Sequence, residues 1–294
     1  MANLGYIGLG ALGSQIAGHL MAKGHTMTGY NRTRSKVEAL IERGMVFAET
    51  PREACAAADI IITQVTDSAA MQAVAHGPDG FLAGLGPGKV LVDMGTNSPA
   101  GSRALAELIR ATGADMLDAP VSGSSVTLRQ GRMSVMVGGN PETFARVRPV
   151  LEDIGPKVTH VGGNGVAMSM KIAVNLSLAV QILAFSEGVL LAEKSGIDRA
   201  TAVEILTNSV IGSPCLQYRG PAVLGESTQE SFFSVNLMQK DMLLALEMGR
   251  SLNVPLPTTA TTEEYLVAAK ALGMGEREFS SIFKVLAQMS GVAP

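Results

Sequence analysis

Leu4-Gly5-Tyr6-Ile7-Gly8-Leu9-Gly10-Ala11-Leu12-Gly13 is the stretch whose reading decides the fold. An apolar, strand-like run from Leu4 to Leu9 passes into glycines spaced G-x-G-x-x-G, and a helix-compatible segment, Ser14–Lys23, follows. Gly8 permits a tight turn, Gly10 lets the backbone approach a pyrophosphate, and Gly13 lets helix and strand pack closely. The helix start then offers free N–H groups and the positive end of its dipole to phosphate. Alone, such a run is a frequent structural turn. Between a strand and a helix it predicts a dinucleotide site lined by Gly8, Gly10, Leu12 and Gly13.

Outward from this stretch, strand-like runs recur at 25–30, 60–65, 89–94, 114–119, 133–138 and 157–162, with helical patterns at 35–43, 100–112 and 141–154 between several of them. The alternation predicts a parallel sheet with helices on its faces. Past residue 163 the strand signal fades. Residues 165–195 read as one helix, which at roughly thirty residues would be about 45 Å long; helical patterns follow at 200–208, 236–252, 258–272 and 280–289. The expected architecture is an α/β nucleotide-binding domain over 1–163 and an all-helical domain over 164–294, joined by a long interdomain helix whose first turns would sit at the cleft.

Composition bounds the function. With 294 residues, 47% hydrophobic and 17% charged, the chain can bury a large core in two domains. A net charge of −3 gives no electrostatic case for nucleic acid or an anionic membrane. Cys55 and Cys215 lack metal spacing, and His19, His25, His76 and His160 are dispersed, so no metal is expected. The apolar stretch 172–192 is interrupted by Asn175, Ser177, Gln181, Ser186 and Glu187, as in a buried helix rather than a bilayer span. No basic segment followed by an apolar run opens the chain, which reads as cytoplasmic. The methionines read as flexible core filler.

The end of the second strand bears on the cofactor. An acidic residue there would accept from a ribose 2′-hydroxyl. This chain instead has Tyr30-Asn31-Arg32-Thr33-Arg34, with Lys36 nearby and no carboxylate. Asn31, Arg32 and Thr33 can donate to a 2′-phosphate, so NADP, as NADPH, is the expected cofactor. Arg34 reads equally as a phosphate ligand or as a solvated charge.

Four blocks then run in order over nearly the whole chain: Gly8 to Thr33; Asp93-Met94-Gly95-Thr96-Asn97-Ser98-Pro99; Asp118-Ala119-Pro120-Val121-Ser122-Gly123 with Met136 to Gly139; and the helix carrying Lys171 and Asn175, with F-x-x-x-L-x-x-K-D at Phe233 to Asp241. Together they resemble the β-hydroxyacid dehydrogenase family, which includes 3-hydroxyisobutyrate dehydrogenase, tartronate semialdehyde reductase and the glyoxylate/succinic semialdehyde reductases. The resemblance implies a Rossmann N-terminal domain, an all-α C-terminal domain, and hydride transfer between the nicotinamide and a small 3-hydroxy acid, semialdehyde or 2-oxo acid.

It also implies site roles. Lys171 would be the general acid/base. Ser122, Gly123 and Asn175 would bind a small carboxylate-bearing substrate, and Thr96, Phe233 and Lys240 would contact the cofactor. Elementary chemistry agrees with several of these. Lys171 and Asn175 are four apart and share a helix face, and a lysine can protonate a carbonyl oxygen as hydride arrives. Each has a structural alternative: Asn175 as a helix–helix hydrogen-bonder, Lys240-Asp241 as a solvated pair, Ser122-Gly123 as a turn only.

Two departures stand out. The family usually has small residues where this chain reads Ser124-Ser125-Val126-Thr127-Leu128, and Gly95 replaces a common serine. Arg132 and Arg219 could add anion contacts, and neither is assigned to the site. The competing functions are an imine reductase, whose relatives commonly lack the lysine, and a catalytically silent nucleotide-binding module. Long apolar helices suggest a homodimer or homotetramer.

Overall fold

The computed structural model describes residues 1–225 and 233–293. By internal packing the chain divides into two compact units, Met1–Lys171 and Ile172–Pro294.

The first unit is built on nine strands among the described residues: β1 (Asn3–Ile7), β2 (Thr26–Tyr30), β3 (Val46–Phe47), β4 (Ile60–Thr63), β5 (Val90–Asp93), β6 (Asp115–Asp118), β7 (Val121–Ser122), β8 (Ser134–Gly139) and β9 (Lys157–Gly162). Their order is β3-β2-β1-β4-β5-β6-β8-β7, with β9 also paired to β8. From β3 to β6 every pairing is parallel, with Leu4 opposite both Met27 and Ile60. β4 and β5 are buried along their whole length, as strands covered on both faces must be. One face packs Leu4, Tyr6, Ile62 and Val92 against Ile16 and Leu20; the other packs Ile7, Ile61 and Leu91 against Leu105 and Ile109.

The expectation of a parallel sheet needs correction beyond β6. β8 runs antiparallel to β6 and β7, which lie end to end along one of its sides, and β9 runs parallel to β8 along the other. The cause is the connection. Besides β7, residues 119–133 hold only the five-residue helix Ser125–Arg129, too short to serve as the crossover helix that a parallel neighbour needs. The helix Pro141–Ile154 supplies such a crossover between β8 and β9. Local chemistry starts the helices. Thr50, Asp67, Ser98 and Asn140 each accept a hydrogen bond from a first-turn N–H, and proline opens the helices at 51, 99 and 141.

A single helix, Val166–Lys194, carries the chain out of the first unit and into the second. By length and composition it could cross a membrane, yet its Asn175 and Ser186 are buried in the protein, with Ser186 Oγ donating to Ile182 O. The second unit adds helices Arg199–Asn208, Pro214–Arg219, Val235–Leu252, Pro257–Ala271 and Ile282–Met289. Its core joins Ile182, Phe185 and Val189 to Met238, Met242, Leu266, Phe279 and Phe283. Methionine fills gaps here, as in the first unit's Met27 and Met45.

Candidate active site

The glycine loop has the geometry its spacing predicts. Gly8 lies at φ +97° in the turn after β1, and its N–H donates to Tyr30 O at 3.0 Å. A Cβ on Gly13 would overlap Gly8 O, so helix and turn touch there backbone to backbone. Gly10 differs: no atom lies within 4 Å of where its Cβ would stand, and no side chain caps the helix Ala11–Ala22 that it opens. An open cradle facing an uncapped helix start fits a pyrophosphate. Leu12 is half-buried and packs against the sheet core.

Asn31 organises this region. Its Oδ1 accepts from Leu9 N–H at 3.1 Å, and its Nδ2 donates to Thr33 O at 2.8 Å, tying the end of β2 to the glycine loop. Arg32 and Thr33 are exposed. Arg34 is engaged elsewhere, paired to Glu49 at 2.9 Å and lying 4.6 Å from the Phe47 ring centroid. Both ends of the Arg34–Glu49 pair are largely exposed, so it is worth under about 1 kcal/mol. It nevertheless brings a carboxylate to this loop that the local sequence lacks.

Past β5, Asp93 builds the turn that carries Thr96. It is buried, and it accepts from Thr63 Oγ1 at 3.1 Å, Gly95 N at 3.0 Å and Asn97 Nδ2 at 3.0 Å. Burial raises its pKa to about 6 from 3.8; these hydrogen bonds oppose the rise, and the charge of Asp118 adds to it. Thr96 is half-buried.

Asp118, at the end of β6, takes a role its sequence position did not announce. Fully buried, it accepts from Gly165 N at 2.9 Å, Met168 N at 3.3 Å and Asn164 Nδ2 at 3.3 Å. It therefore caps the start of the long helix from 47 to 50 residues away. Lys171 follows within a turn, half-buried beside the buried Ala167, Met168 and Ile172. Ser122 is held in β7 opposite Ser134, and Gly123 follows it, exposed, at φ +146°.

In the second unit, Asn175 is buried and its Nδ2 donates to Asp241 Oδ2. Asp241 is itself buried, and its Oδ1 lies 2.8 Å from Lys240 Nζ. The Lys240–Asp241 pair is thus anchored in the core rather than solvated, and Asn175 links two helices through one of its two amide N–H groups. Phe233 donates its N–H to Glu278 Oε2 at 2.9 Å and stacks edge-on with Phe279, centroids 5.8 Å apart. Glu278 in turn is paired with the buried Arg219 at 2.8 Å, so Arg219 has a resident carboxylate and is no free anion contact. Arg132 is exposed. Cys55 and Cys215 are both free, burial pushing the Cys55 thiol up to about 12. Among the described residues, no group of three His, Cys, Asp or Glu could hold a metal ion.

A sheet that is parallel from β3 to β6 with an open glycine cradle after β1, followed by a helical unit entered through one lysine-bearing helix, is the architecture of an NAD(P)-dependent dehydrogenase. The comparisons give the family. Residues 3–162 match the NAD-binding domain of 6-phosphogluconate dehydrogenase, and residues 163–286 match the NAD-binding domain of NADP-dependent 3-hydroxyisobutyrate dehydrogenase. The 2-hydroxy-3-oxopropionate reductase of Escherichia coli K12 is 35% identical over 288 residues, covering 98% of both chains. The 2-(hydroxymethyl)glutarate dehydrogenase of Eubacterium barkeri is 33% identical over 290 residues, covering 99% of this chain and 96% of its own. Among solved structures, Psf3 in complex with NADP+ and 2-OPP superimposes with a TM-score of 0.88 at 28% identity, covering 96% of this chain and 99% of its own. The chain belongs to the 3-hydroxyisobutyrate dehydrogenase-like family of NAD(P)-dependent hydroxyacid dehydrogenases and semialdehyde reductases.

Proposed function

We propose that the protein is an NADPH-dependent reductase of a small semialdehyde or 2-oxo acid, reversible toward the 3-hydroxy acid, with Lys171 as its proton donor. The observation that carries this is the setting of Lys171. It lies half-buried beside Ala167, Met168 and Ile172, on a helix whose start is fixed by a buried carboxylate, the setting of a positioned general acid.

When bound, the dinucleotide supplies or accepts hydride at the nicotinamide C4. Lys171 Nζ then gives a proton to the carbonyl oxygen of the acid, and takes it back in the alcohol direction. The Ser122 hydroxyl and the Gly123 N–H hold the substrate carboxylate, and the second amide N–H of Asn175 is the one left for substrate. Gly8, Gly10, Leu12 and Gly13 cradle the pyrophosphate. Arg32 and Thr33 take the 2′-phosphate, steadied by Asn31. Thr96, Phe233 and Lys240 line the nicotinamide side. Reliance on Lys171 sets this reading apart from imine reduction and from a silent binding module. Exposed apolar residues of the second unit, Leu191, Ile205 and Leu252 among them, support a homodimer or homotetramer.

The test follows NADPH consumption with glyoxylate, succinic semialdehyde, tartronate semialdehyde and methylmalonate semialdehyde, comparing wild type with Lys171→Ala. One acid should turn over, and the variant should lose most of that rate while still binding NADPH. Turnover that survives in Lys171→Ala overturns the proton donor; a lower KM for NADH than for NADPH overturns the cofactor assignment.

A further inference from the structure

The turn after Ser122 is secured by a side chain that neither the nucleotide loop nor the proton donor requires. Gly123 stands at φ +146°, where residues bearing a Cβ are strained, and a Cβ there would overlap Thr127 Oγ1. That hydroxyl accepts from Ser124 N–H at 2.7 Å and donates to Ser124 O at 2.9 Å. Thr127 is anchored in turn, since its carbonyl accepts from Arg132 N–H at 2.8 Å and its neighbour Leu128 is buried in the sheet core. One hydroxyl therefore holds both backbone groups of Ser124 while lying against the α-carbon of Gly123.

We propose that Thr127 is the positioning residue of the acid-binding turn: its hydroxyl fixes the peptide after Gly123, so that the Ser122 hydroxyl and the Gly123 N–H meet the substrate carboxylate at a set angle. The proposal rests on the carboxylate-binding role given to Ser122 and Gly123 above. With the Ser124 N–H committed to Thr127, Gly123 supplies the turn's backbone donor. A glycine has no side chain to resist rotation, so its neighbours must supply the stiffness. A recognition site loses affinity when its donors swing outside roughly 10–20° of the productive geometry. Thr127 thus governs affinity for the acid rather than the rate of hydride transfer.

The isosteric Thr127→Val removes the hydroxyl and keeps the volume; Thr127→Ser keeps the hydroxyl. Thr127→Val loses both of the part-buried hydrogen bonds to Ser124 and should raise KM for the accepted acid about tenfold. Its kcat should stay within about threefold and its KM for NADPH unchanged, and amide exchange across Gly123–Ser124 should quicken. Thr127→Ser should match wild type in all of these. Thr127→Ala repeats the test if the valine variant folds poorly. An unchanged acid KM in an active Thr127→Val overturns the proposal and leaves the proposed function standing. A rise in the NADPH KM of the same size also overturns it, because the whole first unit has then loosened. If wild type turns over none of the four acids, the proposed function fails and takes the role of Thr127 with it.

Discussion

Replacing Asp118 with alanine should loosen the start of the helix that carries Lys171. The carboxylate is fully buried and serves the N–H groups of Gly165 and Met168. Each N–H left buried without an acceptor costs about 1–3 kcal/mol, and losing an N-terminal cap to alanine costs about 1 kcal/mol in other helices. The Met168 bond is the longer, at 3.3 Å, and the small alanine admits some relaxation. Together these give a loss of about 2–4 kcal/mol from the unfolding free energy of the first unit. Asp118→Asn keeps one acceptor oxygen and should lose about half as much. Urea unfolding measures the loss, and amide exchange at 165–168 locates it. Because Lys171 follows Met168 closely on that helix, kcat should fall with the loosening while the KM for NADPH holds. A loss below about 0.5 kcal/mol, with unchanged exchange at 165–168, is the scale of an ordinary surface change; it would mean that neighbouring packing, not Asp118, holds the helix start.

Three further outcomes follow from the same contacts. Asp93 is protonated more readily in the folded chain, at about 6, than at its ordinary 3.8. The folded state then binds the extra proton between those values, so the stability of wild type relative to Asp93→Asn should fall by about 2 kcal/mol as pH rises from 4 to 7, and level off above; thermal unfolding of both proteins across that range checks the sign. Gly10→Ala meets open space and should leave stability within about 0.5 kcal/mol while weakening NADPH binding about tenfold, whereas Gly13→Ala runs into Gly8 O and should destabilise the first unit by about 1–3 kcal/mol; calorimetric titration and urea unfolding separate the two. Arg219→Met leaves the half-buried Glu278 carboxylate without its cation and should cost about 1–3 kcal/mol, with Glu278→Gln costing less, as read from denaturant midpoints.

Much of this was legible in the sequence because it is local. The glycine loop, the seven longer strands and the 29-residue helix each declare themselves within a short window. Lys171 is legible through its motif and its apolar neighbours. What escaped is long-range. The direction of β8 depends on how little helix lies in residues 119–133, not on β8 itself. Val46–Phe47 and Val121–Ser122 are too short to show a period. Pro51–Ala56 and Ser68–Ala75 lie outside the elements the sequence predicts, although Thr50 with Pro51, and Asp67, are readable helix starts. Asp118 and the long helix start, Asn175 and Asp241, and Arg219 and Glu278 are pairs 47 to 66 residues apart. In each, a polar residue's role is set by a partner that only the folded chain reveals.

The outermost strands of the sheet carry a consequence for the chain in a crowded solution. An edge strand offers unpaired backbone groups on which another sheet can grow, and such growth is a route to aggregation. Here β3 contributes only two residues, too few to template a neighbour. The opposite edge, β9, begins at the exposed Lys157 and turns Thr159 to solvent, and its register against β8 slips at Val137–Gly138. A short edge on one side and a charged, irregular one on the other deny an incoming strand a straight ladder, so the sheet that carries the nucleotide loop terminates itself.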